Sequence, residues 1–117
     1  MLAAAGPVKT WNTTVTVTPA GTHVLGNPQA RVKLVEHISY TCPHCAHFEQ
    51  QADAPLRLTF IASGTGSIEV RHYVRDPVDM TVTLLTNCGP PAKFFLNHTA
   101  FLRSQAKWIA PLLSASP

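Results

Sequence analysis

The sequence predicts an α/β fold, and three observations carry that prediction. Residues 13–18, 32–38 and 67–74 are rich in β-branched side chains and alternate as strands do. Two helix openings follow, at Pro43 and at Asp76-Pro77, each with proline at the first helical position. The tetrapeptide Cys42-Pro43-His44-Cys45 stands where the second strand hands over to a helix.

Residues 1–11 read as a leader remnant or a disordered N-terminus. Met1-Leu2-Ala3-Ala4-Ala5-Gly6 resembles the tail of a secretory leader, without the basic start or the apolar stretch of about 7–15 residues. The first strand, 13–18, ends at Pro19-Ala20-Gly21, and a loop through Gly26-Asn27-Pro28 leads to the second at 32–38. The next helix should run from 43 to about 63, bent or divided by Pro55, and stop at Gly64-Thr65-Gly66. The third strand spans 67–74. Asp76 then reads as N-cap of a helix that reaches Cys88, with Gly89 at its stop and Pro90-Pro91 preventing continuation. Val78, Val82 and Leu85 fall on one face of it. A further helix is predicted from 92 to about 107, with Phe94, His98, Phe101, Gln105 and Trp108 at helical spacing, and 111–117 reads as a tail.

Composition narrows the class. At 117 residues the chain is one domain or part of one, and its 45% hydrophobic content suits a folded protein. No apolar run approaches a membrane span. The net charge of +3 is scattered from Lys9 to Lys107 without a basic stripe, which argues against nucleic acid. Asn12-Thr13-Thr14 and Asn97-His98-Thr99 match the glycosylation pattern, a match too short to carry weight.

Chemistry resides in the two cysteines. Three positions apart, they sit one helical turn from each other, close enough to form a disulfide. With Cys42 as N-cap, its sulfur faces the free N–H of Cys45 and the positive end of the helix, which favours thiolate, the nucleophilic form. A helix terminus supplies about 0.3–2 kcal/mol. One pKa unit is about 1.4 kcal/mol, so the terminus accounts for about one unit at most. His44 is the obvious further donor, as cation or N–H. Stabilising the thiolate makes the disulfide more oxidising, by about 30 mV per 1.4 kcal/mol, so Pro43-His44 points to an oxidant. Cys45 should be the shielded partner that closes the ring, and no cofactor beyond the Cys42–Cys45 disulfide is required.

Glu36 shares a strand face with Val32, Leu34 and Ile38, so its carboxylate should be desolvated, with a raised pKa, and able to exchange a proton with Cys45. The alternative is that it reaches solvent at the strand end. Tyr40 and Thr41, just before Cys42, are placed on the surface around the exposed sulfur, as substrate-binding residues. His37 is assigned to the opposite strand face, His47 away from the cysteines, and His72 and His98 to ordinary strand and helix positions.

From Gly26-Asn27-Pro28 through Glu36 and Cys42-Pro43-His44-Cys45 to about Trp108, the sequence resembles the DsbA family of bacterial thiol:disulfide oxidoreductases. The resemblance implies a thioredoxin-like fold with a helical domain inserted after the third strand. It divides the chain into a partial thioredoxin-like domain at 12–76 and a partial helical domain at 77–110. The family's C-terminal hairpin, opened by a cis-proline loop that holds substrate, and its closing helix have no counterpart in the sequence, which therefore reads as an N-terminal fragment. An open sheet edge is then expected, with poor solubility or a covering partner. The resemblance also implies a periplasmic location, reduced secreted polypeptides as clients and a membrane reoxidising partner of the DsbB type.

Two other classes compete. A structural zinc module would use Cys42, Cys45 and a histidine or Cys88, but the second close ligand pair usual in such modules is missing, so no metal is expected. A non-catalytic fragment that binds peptides is the other. Cys88 is either a small buried hydrophobe at a helix end or one half of a structural disulfide.

Overall fold

The computed structural model describes residues 10–114. Strands β1 (Val15–Val17), β2 (His23–Gly26), β3 (Val32–Ile38) and β4 (Gly66–His72) form a sheet in the order β1-β2-β4-β3. β1, β2 and β4 are antiparallel neighbours, whereas β3 runs parallel to β4, from Val32 opposite Gly66 to Ile38 opposite His72. The parallel pair requires a crossover, supplied by α1 (Pro43–Pro55) and a π-helical turn, Leu56–Ile61. Helices α2 (Pro77–Asn87), α3 (Phe94–Arg103) and α4 (Gln105–Ser114) follow. The core joins Leu25, Ile68 and Val70 of the sheet to Tyr40, Ile61, Val82, Phe94, Phe95 and Leu102.

Several expected elements change shape. β2 was not anticipated: its four residues are all buried, so they carry no alternation to reveal a strand. Pro55 does divide the first long helix, and the chain continues as a π-turn in which Ala62 N–H donates to the Arg57 carbonyl five residues back. Gly66 is required where this turn meets β4, because any Cβ there would collide with the Phe60 ring. The helix expected from 92 to about 107 breaks at Ser104, whose hydroxyl takes the Ala100 carbonyl at 2.7 Å. The tail expected from 111 begins inside α4, since proline's φ is itself helical and it deletes only one backbone bond. Residues 1–9 of the expected leader remnant lie outside the described residues, while Trp11 opens a short 3₁₀ turn.

Asp76 caps α2 as predicted, accepting from Asp79 N at 2.8 Å, and Gly89 follows its end at φ 109°. The buried stripe of α2 is Asp79, Val82, Thr83 and Thr86, however, and Leu85 is exposed. Asp79 occupies this stripe because its carboxylate holds the loop leading to the cysteines, and Thr86 accepts from the Tyr40 hydroxyl of that loop. Among the described strands, β3 lies at an edge, with Val32 and Val35 exposed.

Candidate active site

The chain leaves β3 at Ile38 and reaches Cys42, the N-cap of α1, through Ser39, Tyr40 and Thr41. Two helices clamp this turn. From α2, the buried Asp79 carboxylate accepts from Ser39 Oγ and, at 2.9 Å, from Tyr40 N. Asp76 accepts from Thr41 Oγ1 at 2.7 Å. From α4, the buried Gln105 amide donates to the carbonyls of Tyr40 at 2.6 Å and Cys42 at 2.9 Å. These bonds satisfy backbone groups that a buried turn would otherwise leave bare, and so fix where α1 begins.

Both cysteines are free thiols, partly buried and close enough to shift each other's titration. Burial pushes the Cys42 thiol up, but backbone N–H of Cys45, the Cys45 thiol, backbone N–H of His44 and the Arg75 guanidinium outweigh it, so its pKa falls below the usual thiol value. Cys42 closes no geometric side-chain cap bond, so these N–H groups act through their field rather than through one tight contact. Cys45 moves the other way: burial and the neighbouring Cys42 raise it. The pair is therefore polarised in the direction expected for Cys42 as nucleophile.

His44 is exposed, and its effect on Cys42 comes from its main-chain N–H. The cation near the sulfur is Arg75, which the sequence reading missed. Arg75 reaches the Thr41 carbonyl at 3.4 Å. No local spacing ties a residue before α2 to a cysteine 33 positions earlier, so only the fold brings them together.

Glu36 lines a cleft of about 320 Å³ together with Cys45, His44 and Phe48. Burial first, then the nearby Glu49 and Asp53 carboxylates, push it up to about 7. Thr41 is buried but forms part of a groove of about 760 Å³ with Pro43, Arg75 and the α4 residues Ala106 and Ile109. Tyr40 corrects the expectation: it is 0% exposed and belongs to the core, its hydroxyl 2.8 Å from His98 Nδ1. Its place on a turn that packs inward, rather than its nearness to Cys42 in sequence, decides this. Cys88 is exposed at the end of α2, which removes the buried-hydrophobe reading. Among the described residues it joins no group of metal-ligating side chains with Cys42 and Cys45.

A family model described as Thioredoxin matches residues 18–116. A protein-disulfide isomerase from Novosphingobium aromaticivorans superposes with a TM-score of 0.79 at 57% identity, over 82% of this chain and 49% of that one. Alpha-DsbA1 of Wolbachia pipientis has the same fold, with a TM-score of 0.72 at 24% identity over 79% of this chain and 47% of that one. A protein named as a protein-disulfide oxidoreductase in Rickettsia typhi is 34% identical over 73% of this chain and 32% of its own length. The chain thus spans about a third of that curated relative and about half of the solved structures. The chain belongs to the thioredoxin family and is built on the fold of the DsbA-type oxidoreductases.

Proposed function

We propose that this chain carries the redox centre of a protein thiol:disulfide oxidoreductase acting as an oxidant. The observation that supports this best is Cys42 at the mouth of α1, its pKa lowered by N–H groups and Arg75 while that of Cys45 is raised. In the reaction, a client thiolate attacks Cys42 Sγ of the Cys42–Cys45 disulfide, and Cys45 departs as thiolate and takes a proton. A second client thiolate then attacks the client sulfur of the mixed disulfide, and Cys42 departs as a stabilised thiolate. The client dithiol loses two electrons and the cysteine pair gains them. Glu36, facing the same cleft as Cys45 and titrating near 7, is the proton donor and acceptor for that sulfur. The groove beside Pro43 and Arg75 is the surface offered to the client chain.

Reduced secreted polypeptides are the proposed clients, the periplasm the proposed compartment, and a membrane protein of the DsbB type the proposed reoxidant. No described helix is long and apolar enough to cross a membrane. A second reading, disulfide isomerisation, is favoured by the description of the 57%-identical Novosphingobium protein as an isomerase. Oxidation of a reduced peptide and reactivation of scrambled ribonuclease, run side by side, separate the two. Faster peptide oxidation supports the oxidant reading. Activity confined to the scrambled substrate favours isomerase, and no turnover by folded protein leaves a non-catalytic binding fragment.

A further inference from the structure

Behind the Cys45 cleft, three side chains from three elements converge: Glu36 on β3, Glu49 on α1 and His98 on α3. One donor atom from each lies within 4.8 Å of the others. His98 is 2% exposed, and its Nε2 has no hydrogen-bond partner, standing 4.0 Å from Glu49 Oε2. The Thr86 hydroxyl donates to the Thr83 carbonyl at 2.9 Å, and the Tyr40 hydroxyl donates to Thr86 Oγ1 at 3.3 Å. In the tautomer that donates Nδ1–H across the 2.8 Å contact to the Tyr40 oxygen, Nε2 carries a lone pair, the form a metal ligand needs. That nitrogen and the two carboxyl groups each offer one donor atom to a shared cation.

Space and surroundings match a single ion. A cavity of about 10 Å³, room for one water-sized occupant, is lined by these three residues with Asp53, Arg57 and apolar side chains. Arg57 is held by Asp53 at 2.7 Å, and its positive field reaches Glu36 and Glu49 from there. Glu49 keeps one oxygen on Thr99 Oγ1 at 2.8 Å, which orients the other. The Tyr40 contact does the same for the imidazole, in the manner of a partner supporting a metal ligand. Glu36 and Phe48 line both this cavity and the open Cys45 cleft, so the two spaces adjoin. Donors on one zinc ion lie about 3–4 Å apart, so closing the trio takes shifts of about 1–2 Å.

We infer that Glu36, Glu49 and His98 form a binding site for a divalent transition-metal ion, zinc by its nitrogen-and-carboxylate donor set. An ion held there engages the carboxylate that faces Cys45, a consequence that rests on the proposed oxidoreductase reading; the site itself does not. The test is Co²⁺ titration of the full chain with Cys42, Cys45 and Cys88 replaced by serine, followed by displacement with Zn²⁺. The expected result is one equivalent bound, with the visible absorption of a four- or five-coordinate cobalt and no sulfur charge-transfer band. Glu49→Gln and Glu36→Gln, near-isosteric and therefore checkable for folding by circular dichroism, should each weaken binding by about tenfold or more. Absence of stoichiometric binding, or binding that both variants leave unchanged, overturns the site; the latter would assign the ion to exposed histidines such as His37, His44 and His47. Because the thiols are gone, failure here leaves disulfide exchange untouched.

Discussion

Gln105 on α4 donates one amide to the backbone carbonyls of both Tyr40 and Cys42, at 2.6 and 2.9 Å, across 63 positions from the cysteine. The helical segment after α3 is thereby part of the redox turn rather than an appendage. Gln105→Ala should destabilise the fold by about 1–3 kcal/mol, since the Tyr40 carbonyl loses a buried donor. Urea unfolding measures this directly, and a change under about 0.5 kcal/mol would mean that the clamp contributes nothing.

Arg75 and His44 make separable contributions to the Cys42 thiolate. Arg75→Met removes a cation and should raise the Cys42 pKa, whereas His44→Ala keeps the main-chain N–H and should raise it less. Thiolate absorbance against pH, taken on both variants, orders them. A larger rise in His44→Ala would restore the imidazole as the principal donor.

Burial holds the proton on Glu36 up to about pH 7, while an unfolded chain releases it near 4.5. The native state then binds more protons across that interval, so stability contributed by this group falls as pH rises from about 4.5 to about 7 and is fully lost above. Allowing for the partial exposure of the carboxyl, the loss is about 2–3 kcal/mol. In chelator-treated protein, Glu36→Gln should therefore be more stable than the parent at pH 8 and not at pH 4. Equal stabilities at pH 8 would show that Glu36 is solvated.

The parts of this site legible in sequence are those set by short spacing. Cys-Pro-His-Cys names its own N-cap and helix entry, and the strand period places Glu36 beside Ile38. Asp76, Pro77 and Gly89 likewise mark both ends of α2. What the sequence hid depends on distant packing. Asp79, Gln105 and Arg75 reach the cysteine turn only because α2 and α4 fold onto it, and Tyr40 turns inward for the same reason. β2 was invisible because four uniformly buried residues have no period. His98 looked ordinary because nothing in its helix reveals that β3 and α1 bring carboxylates to its unpartnered nitrogen.

Trapping of mixed disulfides with a reduced peptide weighs most directly on whether Cys42 is the attacking sulfur. Cys45→Ser, lacking the thiol that resolves the intermediate, should accumulate a covalent peptide adduct at Cys42, and Cys42→Ser should accumulate none. Equal adduct in the two variants, or adduct only at Cys45, would contradict the assignment.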